Sequence, residues 1–307
     1  MQKTRSLILI AALILTATVA RAQTELHQEH TFDARPGQTV SIDVTFHRVE
    51  VRIQPGAEVQ AVVDISASSS SGRTERAIEE LTPVFTEKND TIIIRSVRKG
   101  GWNWSTGRIK GEVTVTMPPD LNLMVDSSSG SITIDGDLGD ADVDCDASSG
   151  SVTVRGAMQN LNVDTSSGSI KAEVDRPLES FNADASSGSV RLRGGAHSAS
   201  VDTSSGSITL AGLRGDAEMS ASSGSISAQW DSIPPGASID AGASSGSVTL
   251  ELPPGTEISG RASTSSGGIR SDFPGTFEKR SATFRGGSGA VEVRVSTSSG
   301  SVKVLQD

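Results

Sequence analysis

Cysteine occurs once in this chain, at Cys145, so no internal disulfide can form. Small exported domains often depend on such bridges, and here coil-on-coil repetition has to replace them. Histidine is nearly as scarce. His27, His30, His47 and His197 are scattered, with no zinc-type spacing and no Ser-His-Asp arrangement that strand phase would assemble. No phosphate-cradling glycine loop is present, and no cofactor is implied. Aromatic residues make up 3% of the chain, which leaves a polysaccharide-gripping groove short of stacking faces. Basic residues are also outnumbered, 27 Lys and Arg against 37 Asp and Glu. That balance repels phosphate backbones and anionic lipid surfaces, so nucleic acid is excluded as the expected partner.

The longest apolar run, Leu7 to Val19, follows the basic Lys3 and Arg5 and precedes Ala20-Arg21-Ala22. This is the pattern of an export signal cleaved before Gln23. The run falls short of the ~20 residues of a membrane span; an uncleaved anchor is the alternative. No cysteine directly follows it to carry a lipid. Removal of residues 1–22 takes away Lys3, Arg5 and Arg21, leaving 24 basic against 37 acidic residues, a net charge of −13. The mature chain is expected to be exported (periplasmic, at the cell surface or secreted), without stable membrane insertion.

What the chain has in abundance is one phrase. Ser-Ser-Gly-Ser followed by Ile or Val begins at Ser128, Ser148, Ser166, Ser186, Ser204, Ser222, Ser244 and Ser298, with a variant at Ser265-Ser266-Gly267-Gly268-Ile269. From Gly130 to Gly267 the glycine spacings are 20, 18, 20, 18, 18, 22 and 21 residues. A period of this kind marks stacked repeats. Around each copy apolar and polar residues alternate, the signature of half-buried strands. One inward set reads Leu161, Val163, Thr165, then Ile170, Ala172, Val174; another reads Ala217, Met219, Ala221, then Ile226, Ala228, Trp230. A small residue always precedes the turn, where the wall bends, and the glycine is expected to supply a positive φ. A second, variable turn separates the copies, marked by Gly136, Gly139, Gly156, Pro177, Gly194-Gly195, Gly212 and Pro234-Pro235-Gly236.

Two turns per period give two strands per coil, and nine coils would span ~40 Å at ~4.8 Å each. The expected fold is therefore all-β: a parallel β-solenoid (β-helix) whose like side chains form ladders. An antiparallel β meander of hairpins is the alternative. Strict alternation argues against a Ser/Gly-rich flexible linker. Residues 23–110 read as a β lead-in, with alternating strands at Thr39–Val44 and Val49–Ile53. A short helix at about 73–86, carried by Ala77, Ile78, Leu81, Val84 and Phe85, is expected to cap the open edge. Residues 111–307 form the repeat domain.

The chain resembles the bacterial putative-adhesin family of β-strand-repeat proteins. The resemblance rests on Val115-Thr116-Met117-Pro118-Pro119-Asp120-Leu121-Asn122-Leu123 opening the array and on the run of Ser-Ser-Gly-Ser copies. Leu252-Pro253-Pro254-Gly255, Phe273 after the variant glycine, and the closing Thr297-Ser298-Ser299-Gly300-Ser301-Val302 complete it. It implies an exported, non-enzymatic, right-handed β-solenoid and offers no catalytic residues to carry over. The chain departs from a surface-displayed protein in having no sorting sequence or peptidoglycan-binding motif.

Two places break the pattern. The run Asp135, Asp137, Asp140, Asp142, Asp144, Asp146 offers oxygen ligands suited to calcium, with Asp135, Asp137, Asp142 and Asp144 as candidates. A solvated acidic face is the plainer explanation, since the nonapeptide spacing of calcium β-rolls is absent. The loop Lys99–Arg108 holds Trp102 and Trp104, which would either stack on a glycan or protein partner or plug the end of the core. The Ser-Ser rows are expected to satisfy turn backbone groups and each other. Taken together, the sequence points to a non-enzymatic envelope scaffold or adhesin-like module that binds an envelope component, a glycan or a protein. A carbohydrate-active β-helix enzyme and a purely structural spacer are the alternatives.

Overall fold

The computed structural model describes residues 24–68, 71–96 and 109–307, and among them the chain is all-β apart from one helix. Each coil contributes one strand to each of two sheets. The strand before the Ser-Ser-Gly corner joins a 14-stranded sheet, here the front sheet; the strand after it joins a 13-stranded back sheet. Asn160–Thr165 and Ile170–Val174 are one such pair.

From Asn122 to Leu252 every neighbouring pair is parallel, and the register is kept throughout except for one shift where Leu213 meets Trp230, so the structure is the stacked solenoid and not the meander. Like side chains therefore pile up. Leu123, Val143, Leu161, Phe181, Ala199, Ala217 and Ile239 form one inward file on the front sheet. The residues that end each phrase, Ile132, Val152, Ile170, Val190, Ile208, Ile226 and Val248, form its counterpart on the back sheet. All are buried in one continuous core, the valine, leucine, isoleucine and phenylalanine side chains each contributing about 1.5–3 kcal/mol by leaving water and the alanines less. Cys145 continues this packing, in phase with Val143, paired with Val125 and Val163, and fully buried.

Among the described residues, antiparallel pairing is confined to the two ends. Thr24–Asp33 pairs with Glu58–Ala67, which pairs with Ile109–Met117, and Val84–Lys88 pairs with Thr91–Arg95. At the far end Ser281–Phe284 pairs with Ile258–Ser266 and with Thr276–Phe277. These reversals end the parallel stack, which would otherwise present an open edge to other chains. The helix spans Gly72–Leu81, with Ser71 as its cap accepting from the Thr74 amide. It links a back-sheet strand to the front-sheet edge and buries Ile78 and Leu81. Val84 and Phe85, which helical spacing adds to the helix, instead begin a strand, because Pro83 follows the Thr82 cap and cannot extend the ladder of amides.

Order in space departs from order in the chain at both ends. The strands Thr39–Val44 and Arg48–Ile53 stack directly on the first repeat, and Thr91–Arg95 with Ile109–Met117 lie outside them. Likewise the last coil, Val291–Gln306, slides between Ser238–Leu252 and the variant coil Ile258–Ser271. The first and last coils of the repeat pattern are thus each clamped between two neighbours.

The corner glycines correct one expectation. Gly130, Gly150, Gly168, Gly188, Gly206, Gly224 and Gly246 are not at positive φ; that conformation belongs to Gly136, Gly139, Gly156, Gly194, Gly195 and Gly212 in the variable turn. The corner needs glycine because coils touch there. A methyl group on Gly188 would stand 1.7 Å from the Gly168 carbonyl oxygen, and the same clash recurs up the stack.

Candidate functional site

The outer face of the front sheet carries a feature that repetition makes inevitable. Two residues before each of five Ser-Ser-Gly corners stands an aspartate: Asp126, Asp146, Asp164, Asp184 and Asp202. Parallel in-register pairing sets each opposite the next, and Asp43 extends the file by one coil. Neighbouring carboxylates are one strand apart, ~4.8 Å. Opposite this wall run the first serines of the corners, Ser148, Ser166, Ser186 and Ser204. Between them lies a groove of about 520 Å³. Past Asp202 the file continues as Ser220, Gly242, Ser296 and Ser263, and a second groove of about 400 Å³ is lined by serine, threonine and alanine. One long trough thus has an acidic half and a neutral, hydroxyl-rich half.

Electrostatics mark the acidic half. The carboxyls of Asp126, Asp146, Asp164 and Asp184 are all held above the ordinary range, first by partial burial and then by the charges of their neighbours. Among the described residues the file is neutralised only at one end, where Arg95 donates to Asp43 at 2.6 Å. From Asn122–Ser127 to Ser238–Ser245 the front-sheet strands contain no lysine or arginine. The back sheet is built differently. There Arg155 lies between Asp135, at 3.0 Å, and Glu173, at 3.4 Å, and Lys171 meets Glu173 at 2.8 Å. The back-sheet file Arg52, Asp135, Arg155, Glu173 and Arg193 alternates in sign, although Lys171 and Arg191 stand opposite one another beside it; the aspartate file of the front sheet does not alternate.

The corner itself is a hydrogen-bonding device. Thr165 Oγ1 accepts from the Gly168 amide at 3.0 Å and donates to the Gly150 carbonyl at 3.3 Å. Thr203 and Thr297 likewise donate to Gly188 and Gly246. The serine after each glycine accepts from its counterpart one coil on, through Ser151, Ser169, Ser189, Ser207, Ser225 and Ser247. The first two serines of each corner are exposed, facing the trough or solvent.

The acidic run singled out in the sequence is dispersed. Asp135 lies on the back sheet against Arg155, Asp137 accepts from the Gly139 amide at 2.8 Å, and Asp140 pairs with Arg176 at 2.8 Å. Asp142 and Asp144 share the front face but take amide hydrogens from Asn160 and Asn162 at 2.7 and 3.1 Å. Asp146 is the member of the run that enters the groove. Among the described residues, no group of three or more His, Cys, Asp or Glu side chains is placed to hold a metal ion. Trp102 and Trp104 lie outside the described residues. The five-fold Asp-small-Ser-Ser-Gly phrase was present in the sequence, and only the stacking turns it into a wall.

Coils stacked through glycine corners, with a polar trough along one face, define a parallel β-solenoid. The chain belongs to the Toastrack DUF4097 family, whose model matches residues 39–305. Among solved structures it is similar to a putative lipid binding protein from Parabacteroides distasonis, at 16% identity over 91% of this chain and 96% of that one, with a TM-score of 0.47. A putative adhesin from the same species is 12% identical over 91% and 97%, with a TM-score of 0.43. A putative adhesin from Bacteroides fragilis is 14% identical over 92% and 97%, with a TM-score of 0.41. No curated protein matches the chain. Among the described residues no helix is long and apolar enough to cross a membrane.

Proposed function

We propose that this protein is an exported, non-enzymatic, adhesin-like scaffold of the cell envelope, and that it binds an extended partner bearing positive charges along the aspartate trough. The observation that carries this reading is the contrast between the two faces. Like charges directly opposite one another on adjacent strands oppose folding; the back sheet confines such contacts to isolated pairs, such as Lys171 with Arg191 and Arg270 with Lys303, while its longest charged file alternates in sign. On the front sheet five carboxylates in file are retained, although asparagine would fit the same pleat. A cost repeated at four successive contacts in register is what a binding face facing a periodic cation would require.

Catalysis by the same carboxylates is poorly supported. Acid–base work on a glycoside needs two groups whose environments push their pKa values apart. Here the four shifted aspartates move in one direction for one set of reasons. A pure spacer would have no use for the file.

The reading includes residues 1–22 as a cleaved export signal, residues 23–110 as a lead-in and 111–307 as the repeat domain. It is tested by placing a photo-crosslinking amino acid at Ser186, in the trough, and separately at Thr153, on the back sheet, in cells that are then fractionated. The expected result is an envelope adduct from Ser186 and none from Thr153. Adducts from both positions or from neither, or a protein retained in the cytoplasm, would overturn it.

A further inference from the structure

We propose that His47 is an acid-operated weak point of the solenoid: on taking up a proton its imidazole leaves the N-terminal corner, and the start of the strand Ile109–Met117 loosens from Arg48–Ile53. The coil Thr39–Ile53 has Phe46-His47-Arg48 where the repeats have their serine-glycine corner. His47 occupies the glycine's place in the stack. A methyl on Gly130 would stand 1.7 Å from the His47 carbonyl oxygen, as one on Gly150 would stand 1.9 Å from that of Gly130. Ser127 Oγ donates to the same His47 carbonyl at 3.3 Å.

A side chain at a glycine's position must go somewhere, and it fills the corner of the next coil out. There Gly111 makes room: a methyl on Gly111 would lie 2.4 Å from His47 Cδ2 and 3.0 Å from Nε2. The ring packs on Phe46 with centroids 4.2 Å apart. His47 is fully buried, and neither ring nitrogen has a hydrogen-bond partner. A neutral imidazole bears this; an imidazolium would bring two unmatched donors and a charge into the corner.

Among the described residues nothing offsets that charge. The ionisable groups on the surrounding strands are Asp43 and Asp126 before the two corners, Arg48, Glu50 and Arg52 after His47, Lys110 and Glu112 flanking Gly111, and Asp64 opposite Glu112, and burial alone accounts for the imidazole's lowered pKa of about 4. The folded value lies below the ordinary 6.5, so the contribution is intact above 6.5 and is lost as pH falls towards 4. Asp126, with its raised pKa, works in the opposite sense, since its protonation favours the fold.

The test follows the histidine ring carbons and backbone amides of the mature chain by NMR between pH 6.5 and 4, the window set by His47. His47 is expected to stay neutral until close to the lower limit. Opening constants for amides 109–113, corrected for intrinsic exchange, should rise by up to about tenfold per pH unit, while those of 160–174 do not. His47→Phe, which keeps a ring but no proton, should abolish the rise. Titration of His47 at its ordinary value in the folded chain, a flat response, or a rise that persists in His47→Phe would overturn the proposal. If the variant does not fold, the wild-type titration and exchange decide alone.

Discussion

The carbonyl oxygen of Gly150 lies 1.9 Å from where a methyl group on Gly168 would stand. That distance is about half of an ordinary carbon–oxygen contact, and backbone sits on both sides of it. Gly168→Ala should therefore cost at least about 3 kcal/mol, because neither coil can give way without breaking its ladder. Gly255→Ala meets no atom within 4 Å but sits at a φ of 81°, so it should cost only the ~1 kcal/mol typical of left-handed strain. Chemical denaturation of the two variants checks the ranking; equal losses would mean that conformation, and not contact, selects the corner glycine.

Thr165 ties two coils with one hydroxyl. Thr165→Val keeps the shape but leaves the Gly168 amide and the Gly150 carbonyl without that partner. The expected loss is about 1–3 kcal/mol, whereas Ala185→Val at the equivalent corner removes no such bond. Denaturant midpoints of the two variants decide the matter.

The aspartate file should be a liability for folding at neutral pH. Asp164 has its pKa raised in the folded chain, by burial first and then by Asp184, Asp146 and Asp144. For a carboxyl the sign is clear: the folded state holds its proton more readily, so ionisation above the raised value works against folding and the penalty disappears in acid. Asp164→Asn is expected to stabilise by roughly 0.2–1 kcal/mol at neutral pH, with the gain vanishing well below the carboxylate range. Thermal unfolding at the two pH values measures it.

How much of this was legible beforehand varies with the physics. Alternation around Leu161-Asn162-Val163 reports burial directly, so the inward files and the two strands per coil could be read. The order of coils could not. Val291–Ser299 and Ile258–Ser266 present the same inward phase and the same serines, so either could pair with Ser238–Ser245, and local pattern does not choose. In retrospect Gly268 hints at the answer. It replaces the ladder serine in the copy that has no parallel neighbour beyond it, and a methyl there would meet nothing within 4 Å. The trough was missed for a related reason: Asp146 looks like one of six acids in a run until stacking separates it from Asp135 and aligns it with Asp164. His47 gave no signal, because a histidine in a glycine's place has no periodicity of its own.

Cys145 should be chemically silent in the folded protein. Burial, with Asp144 and Asp146 adding to it, pushes its thiol pKa upward, and the thiolate is the reactive form. A disulfide-exchange reagent should label it only at the rate of unfolding and stoichiometrically in denaturant. Rapid labelling of the native chain would place the thiol at the surface.

The most direct test of the central claim replaces Asp146, Asp164, Asp184 and Asp202 together by asparagine and titrates the variant and the parent with a lysine oligopeptide and with an amine-bearing glycan oligomer in a calorimeter. The account predicts that the parent binds at least one of them, more weakly as salt is raised, and that the variant folds at least as stably and has lost the binding. A variant that binds as the parent does, or one that no longer folds, would show that the file of aspartates serves the solenoid and not a partner.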